Sequence, residues 1–241
     1  MADRRRLERL LRLVALRAGN RSFSGWVGVV CQIVVEEIDV DGAAIAVRSS
    51  KRVEELVAVT GDWARELEEL RYTAGEGPTV EAYDSGGPVL VSDLAAAAGR
   101  WPGFVAIAVE EVRAIFAFPL QQGAIRLGTL TLYRRKVGTL TPAELTDAAA
   151  LADLATTALM TDVGDAAGDN EISVAPWARN GAPGHYDDVN VATGMVAAEL
   201  RISLEDAFLR LRGHAFSQGR PLLDVARAVL ERRLGADAFT D

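Results

Sequence analysis

The sequence predicts an α+β domain, an antiparallel sheet flanked by helices, followed by an all-α bundle of three helices. Three observations carry this. Over residues 22–162 short apolar runs bounded by turn residues alternate with amphipathic stretches, the pattern of helices laid on a sheet. Residues 163–184 then fill with Gly164, Gly168, Gly181, Gly184, Pro176, Pro183 and the acidic Asp165, Asp169 and Glu171, with Asp162 just before them, the composition of a linker. Residues 185–236 carry helix signals alone.

The first segment, residues 1–21, holds seven Arg against Asp3 and Glu8, a balance of +5 in a chain of net charge −8. Leu7, Leu11, Val14 and Ala18 share one helical face, which predicts a helix packed on its own domain or on a second subunit. The alternative is a basic arm touching lipid or nucleic acid. Ser24 to Glu37 predicts a second helix, with Trp26, Val30, Ile33 and Val34 on one face. Ala43–Val47 and Val53–Val59 read as strands around a polar turn at 48–52, and residues 62–71 as a short helix or connection. Gly75-Glu76-Gly77-Pro78 makes a tight turn into a helix that ends before Gly86-Gly87. Pro88–Val91 is a short strand, and Arg100-Trp101-Pro102 opens another helix.

Ala114–Leu120 and Ile125–Tyr133 form the clearest hairpin, with Gln121-Gln122-Gly123 as its turn. Thr141, Pro142 and Glu144 start a helix running to about Thr161, faced by Leu145, Ala149, Ala152 and Leu159. In the bundle, a helix over 187–200 precedes one capped by Ser203, faced by Leu204, Phe208 and Leu211 and ended by Gly219. Pro221 starts the third. Trp177 is expected to dock from the linker onto a domain.

An acidic chain is not held on nucleic acid by bulk charge, so any such contact is local. A single cysteine, Cys31, fits a reducing cytoplasm and reads as a buried small hydrophobe. No apolar run is long enough to span a membrane, Arg12 interrupts the one candidate secretory leader, and no membrane partner is expected. With no histidine before His185, a histidine-ligated haem or zinc in the first domain is excluded. The pairs Glu36-Glu37, Glu54-Glu55, Glu68-Glu69 and Glu110-Glu111 diverge as neighbours must, so they read as solvated surface and not as paired catalytic acids. No catalytic or metal-binding constellation is expected.

Val191-Ala192-Thr193-Gly194-Met195-Val196, Ile202 through Ala215 and Leu222-Leu223-Asp224-Val225-Ala226 resemble the ANTAR domain, an RNA-binding module of bacterial antiterminators. Many relatives carry Lys where Thr193 stands. Gly75-Glu76-Gly77-Pro78, Val89 through Leu94, Arg100-Trp101-Pro102, Phe118-Pro119-Leu120 and Leu127-Gly128-Thr129-Leu130 resemble a GAF domain of the kind fused to ANTAR in actinobacteria. The resemblance implies a signal-responsive regulator that holds stem-loops of nascent RNA and prevents a terminator from folding. It also implies a homodimer and a small-molecule or redox cue whose ligand, like any cofactor, it does not identify.

Candidate residues follow. Arg210, His214 and Ser217 fall on one exposed stripe of the second bundle helix, where unstacked bases meet Arg and His. Arg220 lies near the start of the third helix, where free N–H groups favour phosphate. Thr193, Arg201 and Arg212 complete the candidate RNA set, although Arg212, four residues after Phe208, can instead pack its stem on the core. Thr79, Trp101, Phe104, Phe116, Phe118 and Tyr133 are candidates for a pocket on the sheet, with packing as their ordinary role. A protein-docking role for the ANTAR segment is the alternative to RNA. A sulfoxide reductase would need several cysteines.

Overall fold

The computed structural model describes residues 2–19, 23–48, 54–166 and 184–240. The chain runs through α1 Ala2–Ala18, α2 Phe23–Glu37, β1 Gly42–Arg48, β2 Glu54–Val59, α3 Gly61–Ala74, α4 Pro78–Ser85 and β3 Val89–Val91. It continues through α5 Pro102–Ala108, β4 Ala114–Gln122, β5 Ile125–Arg134, α6 Pro142–Ala166, α7 Asp187–Leu200, α8 Leu204–Ser217 and α9 Leu222–Leu230. A 3-10 turn at Ala236–Phe239 follows, past the expected end of the bundle. Trp177, the linker stretch 167–183 and the turn residues 49–52 lie outside the described residues.

Among the described residues the sheet has five strands in the order β2-β1-β5-β4-β3, every neighbouring pair antiparallel. β4 and β5 pair from Ala114↔Arg134 to Gln122↔Ile125. Gln121 and Gln122 therefore belong to the strand, and the turn is tighter than expected, with Gly123 at φ 59°. Alternation along the strands divides the core in two. Ala114, Phe116, Phe118, Leu120, Leu130 and Leu132 face one way, under α1, α2 and α6. Ile115, Ala117 and Tyr133 face the other, under α3, α4 and α5.

α1 buries Leu10, Val14 and Ala18, spaced by four, while Leu7 and Leu11 stay 40% and 41% exposed. The inward stripe keeps the expected Val14 and Ala18 but takes Leu10 in place of Leu7 and Leu11, and on its flank Arg9 and Arg17 pair with Glu37 and Glu36 of α2. A fully buried Leu such as Leu10 contributes about 1.5–3 kcal/mol. α6 starts as its sequence indicates: Glu144 N–H donates to Thr141 Oγ1 at 3.2 Å and Thr141 N–H to the Glu144 carboxylate at 2.7 Å. Its inward stripe is Ala148, Leu151, Ala152, Ala155 and Leu159, with Ala149 exposed instead.

The bundle also forms from local signals. Asp206 N–H donates to Ser203 Oγ at 3.0 Å, and Gly219 takes φ 60° after α8. Ala207, Phe208, Leu211 and Ala215 point inward, whereas Leu204 is 44% exposed and does not join them. The bundle packs against α3 through α8 and α9, so its core is continuous with the α3 side of the sheet. Trp101, Phe104 and Tyr133 belong to the same apolar cluster as Phe208, Leu222 and Phe239.

Candidate sensor cavity and nucleic-acid interface

On the α3 side of the sheet a cavity of about 10 Å³, room for roughly one water, lies among Ala46, Arg48, Glu54, Arg71, Thr79, Tyr83 and Thr129. Of the six residues expected to line a pocket, it includes Thr79, whose hydroxyl lies 3.2 Å from that of Thr131. Phe116 and Phe118 point to the opposite face of the sheet, under α1, α2 and α6, which removes them from this site. Even-numbered positions of β4 share that face by the two-residue strand period, a signal present in the sequence. Trp101, Phe104 and Tyr133 are on the cavity side but buried in the core.

The space a ligand would take is filled by side chains. Arg71, 2% exposed, holds Glu54 and lies 2.8 Å from Glu68. Tyr133 Oη donates to Glu68 at 2.7 Å, and Arg48 lies 3.4 Å from Glu54. Glu54 and Glu68 are therefore not the solvated acids their pairing suggested: each turns inward where a buried guanidinium compensates its charge. Glu68 and Arg71 sit three apart on α3, a spacing the sequence displays. Burial raises the Tyr133 hydroxyl well above its usual range, and the adjacent Glu68 raises it further.

The Gly75–Pro78 turn is structural, as its sequence indicated. Gly75 and Gly77 take φ 72° and 132°, and the Glu76 carboxylate accepts the Gly103 and Phe104 amides at 2.7 and 3.1 Å, capping α5. Cys31 is buried, and burial pushes its thiol far above the ordinary range, so the neutral thiol is the stable form. Among the described residues no group of His, Cys, Asp and Glu is placed to hold a metal, and no helix is long and apolar enough to cross a membrane.

The six candidate RNA residues separate into three environments. Arg201 and Arg220 are exposed, Arg201 closing α7 at φ 56° and Arg220 just before α9. Arg210 and His214 border a groove of about 490 Å³ shared with Leu209, Gly213, Ser217 and Phe239. There Arg210 donates to the Phe239 carbonyl at 2.6 Å, not to Asp206, and the His214 ring meets Phe239 edge-on at 5.2 Å. Thr193 is buried and donates to the Val189 carbonyl at 2.6 Å, so here it presents no face to RNA.

Arg212 is drawn inward as well. Its guanidinium carbon stands 4.4 Å over the Phe208 ring, the packing role its spacing allowed. It rests against Gly75, where any side chain would meet the guanidinium and have to displace it. Burial lowers the Arg212 pKa, and its Nε has no hydrogen-bond partner among the described residues. Around it, Thr73 Oγ1 accepts the Leu222 amide at 2.9 Å and Glu55 accepts the His185 amide at 2.5 Å. These contacts join α3 and β2 to the bundle, and no local pattern in the sequence announced them.

The sequence profile of the GAF domain matches residues 21–160 and that of the ANTAR domain residues 185–230. Among solved structures, the GAF domain of a phosphoenolpyruvate-protein phosphotransferase from Coxiella burnetii is similar at 16% identity and TM-score 0.55. The similarity covers 67% of this chain and 96% of that one. The corresponding domain from Acinetobacter gives 15% identity and TM-score 0.53 over 70% of this chain and 98% of that one. At such identities these two show the fold alone. No curated protein matches the chain. A five-stranded sheet between helices, matched over more than half the chain, followed by three helices that carry an ANTAR match of their own, places this chain in the GAF domain family and gives it the GAF–ANTAR architecture of a regulator.

Proposed function

We propose that the chain binds stem-loops in nascent transcripts through α7–α9 and promotes antitermination, with the GAF domain responding to a small molecule or other cue. No bond is made or broken, and the output is a difference in affinity for two RNA folds. The observation that carries this reading is that the ANTAR match includes Arg201 and Arg220 on the surface and the Arg210–His214 groove of α8. Donors around an open groove suit unstacked bases, whose edges and faces are both available. A redox cue gains nothing from Cys31, which is buried and neutral.

Two copies would present two bundles to two hairpins and raise their effective concentration. The exposed apolar side chains of α1, Leu7 and Leu11 beside its buried stripe and Leu16, 81% exposed, on the opposite side, support pairing through that helix. A gel shift with tandem hairpins carrying hexanucleotide loops, against the same stems with scrambled loops, tests the reading. A clear preference for the intact loops supports it, and equal binding rejects it. A protein partner is the second reading, favoured by the exposed Leu204 and Leu209 of α8. Its mark would be loop-independent RNA binding together with capture of a defined protein.

A further inference from the structure

We propose that the GAF domain holds the ANTAR bundle closed by occupying Arg212 and the first amide of α9, so that RNA and the Gly75 turn compete for the same groups. This rests on the RNA-binding reading above and adds its regulation.

Four observations support it. Thr73 and Gly75, two residues apart at the end of α3, meet the bundle at two groups: Thr73 accepts the Leu222 N–H, and the Arg212 guanidinium packs against Gly75. Both are groups that receive phosphate well, one a helix N-terminal amide and the other a planar cation. The closed contact leaves Arg212 poorly served. Its Nε is without a partner among the described residues, and burial depresses its pKa. A desolvated cation with an unmet donor gains more from an anion than from this site. The Phe216 ring lies 3.3 Å from the position of a Cβ on Gly103, in the first turn of α5, so a second GAF helix touches α8. Finally, Arg71 lines the cavity and is followed in the chain by Tyr72, which stacks on Tyr186. A displacement of Arg71 therefore acts on the closing contact through one peptide bond.

The bundle in this arrangement is at once a folded reader and a masked one. Binding RNA requires the undocked form, and the apparent affinity is reduced by the fraction of chains in that form. Linkage makes the effect reciprocal: RNA must loosen the docking by the factor that docking weakens RNA.

The test uses the full chain with two substitutions on the GAF side. Gly75→Asn keeps a left-handed residue, which Asn tolerates, and pushes its side chain into Arg212. Thr73→Val removes the acceptor for Leu222. Each should bind the tandem hairpin at least about tenfold more tightly than the parent. Each should also speed hydrogen exchange at the Leu222 amide, and adding Arg212→Ala to Gly75→Asn should erase the gain. Unchanged affinity in variants whose Leu222 exchange has risen overturns the proposal, because docking then masks nothing. Unchanged exchange in both overturns it too, because Gly75 and Thr73 then do not hold the contact. Loss of loop preference in every form, open or closed, instead removes the RNA reading on which the proposal stands.

Discussion

Tyr72 at the end of α3 and Tyr186 just before α7 stack with ring centroids 3.9 Å apart and planes 22° from parallel, so one aromatic pair joins the GAF domain to the helical bundle. Phe208 of α8 meets the same Tyr72 at 6.0 Å, which makes Tyr72 the centre of the contact. The Tyr186 hydroxyl is buried without a hydrogen-bond partner among the described residues.

Tyr186→Phe should therefore leave the stack intact and remove an unmet polar group. Stability should rise by about 1 kcal/mol, whereas Tyr186→Ala should lose roughly 3–5 kcal/mol. Thermal melts of the two variants decide this, and a Phe variant that melts well below the parent contradicts it.

Glu68→Ala should cost about 3–5 kcal/mol, because it strands Arg71 in the core and removes the acceptor of Tyr133. Urea unfolding measures it. A loss under about 1 kcal/mol would mean that Glu54 alone compensates Arg71.

Gly128→Ala should be among the most damaging single changes in the sheet. A Cβ there would sit 2.0 Å from the Ala46 carbonyl and 2.8 Å from Val47 Cα, both backbone atoms of β1. The loss should exceed about 4 kcal/mol, seen as a lowered denaturant midpoint with an unchanged slope. A variant with parental stability would show that β1 and β5 separate easily.

Burial raises the Glu55 carboxyl above its ordinary value, against the hydrogen bonds it accepts from the His185 and Tyr186 amides. A carboxyl raised in the folded state binds its proton more tightly there. Its contribution is complete below the unfolded value and is lost as pH climbs through the folded one. Glu55→Gln should thus match the parent near about pH 4 and melt progressively higher than it toward about pH 7. Melting curves across that range that stay parallel would refute this.

Arg220→Ala and Arg201→Ala should each weaken hairpin binding by roughly 1–3 kcal/mol with unchanged melting temperatures, since both side chains are exposed. Arg232→Ala and Arg233→Ala should do less: Arg233 already pairs with Glu231 at 2.6 Å. Equal losses in all four would point to a diffuse electrostatic contact.

What was readable in the sequence was local. The Thr141–Glu144 and Ser203–Asp206 caps, the Gly75–Pro78 turn and the helix order all depend on residues within a few positions of one another. Sidedness was harder, because a rotation of roughly 60–100° around the helix axis exchanges Leu7 for Leu10 in α1 and Ala149 for Ala148 in α6. The burial of Glu54 needed knowledge that Arg71, seventeen positions on, would meet it from α3, packed on the sheet. The reach of Phe239 over His214 and of Gly75 to Arg212 was least legible, since each links segments that share no periodic pattern. Hydrophobic periodicity tells which face is inward, and not which partner covers it.

The apolar cluster that runs from Ala44 and Trp101 to Leu222 and Phe239 has a bearing on lifetime. A unit of about fifty residues is near the lower size for folding alone, so α7–α9 draw part of their cooperativity from α3. Heat should melt the two domains in one transition while they are joined. Any excursion that frees the bundle strips Phe208, Tyr186 and Leu222 of cover and leaves a body that opens locally with less work. Proteases act on the population of such open forms. A chain whose bundle has left the GAF domain is then also the chain most readily degraded, so the contacts between the two set its lifetime as well as its fold.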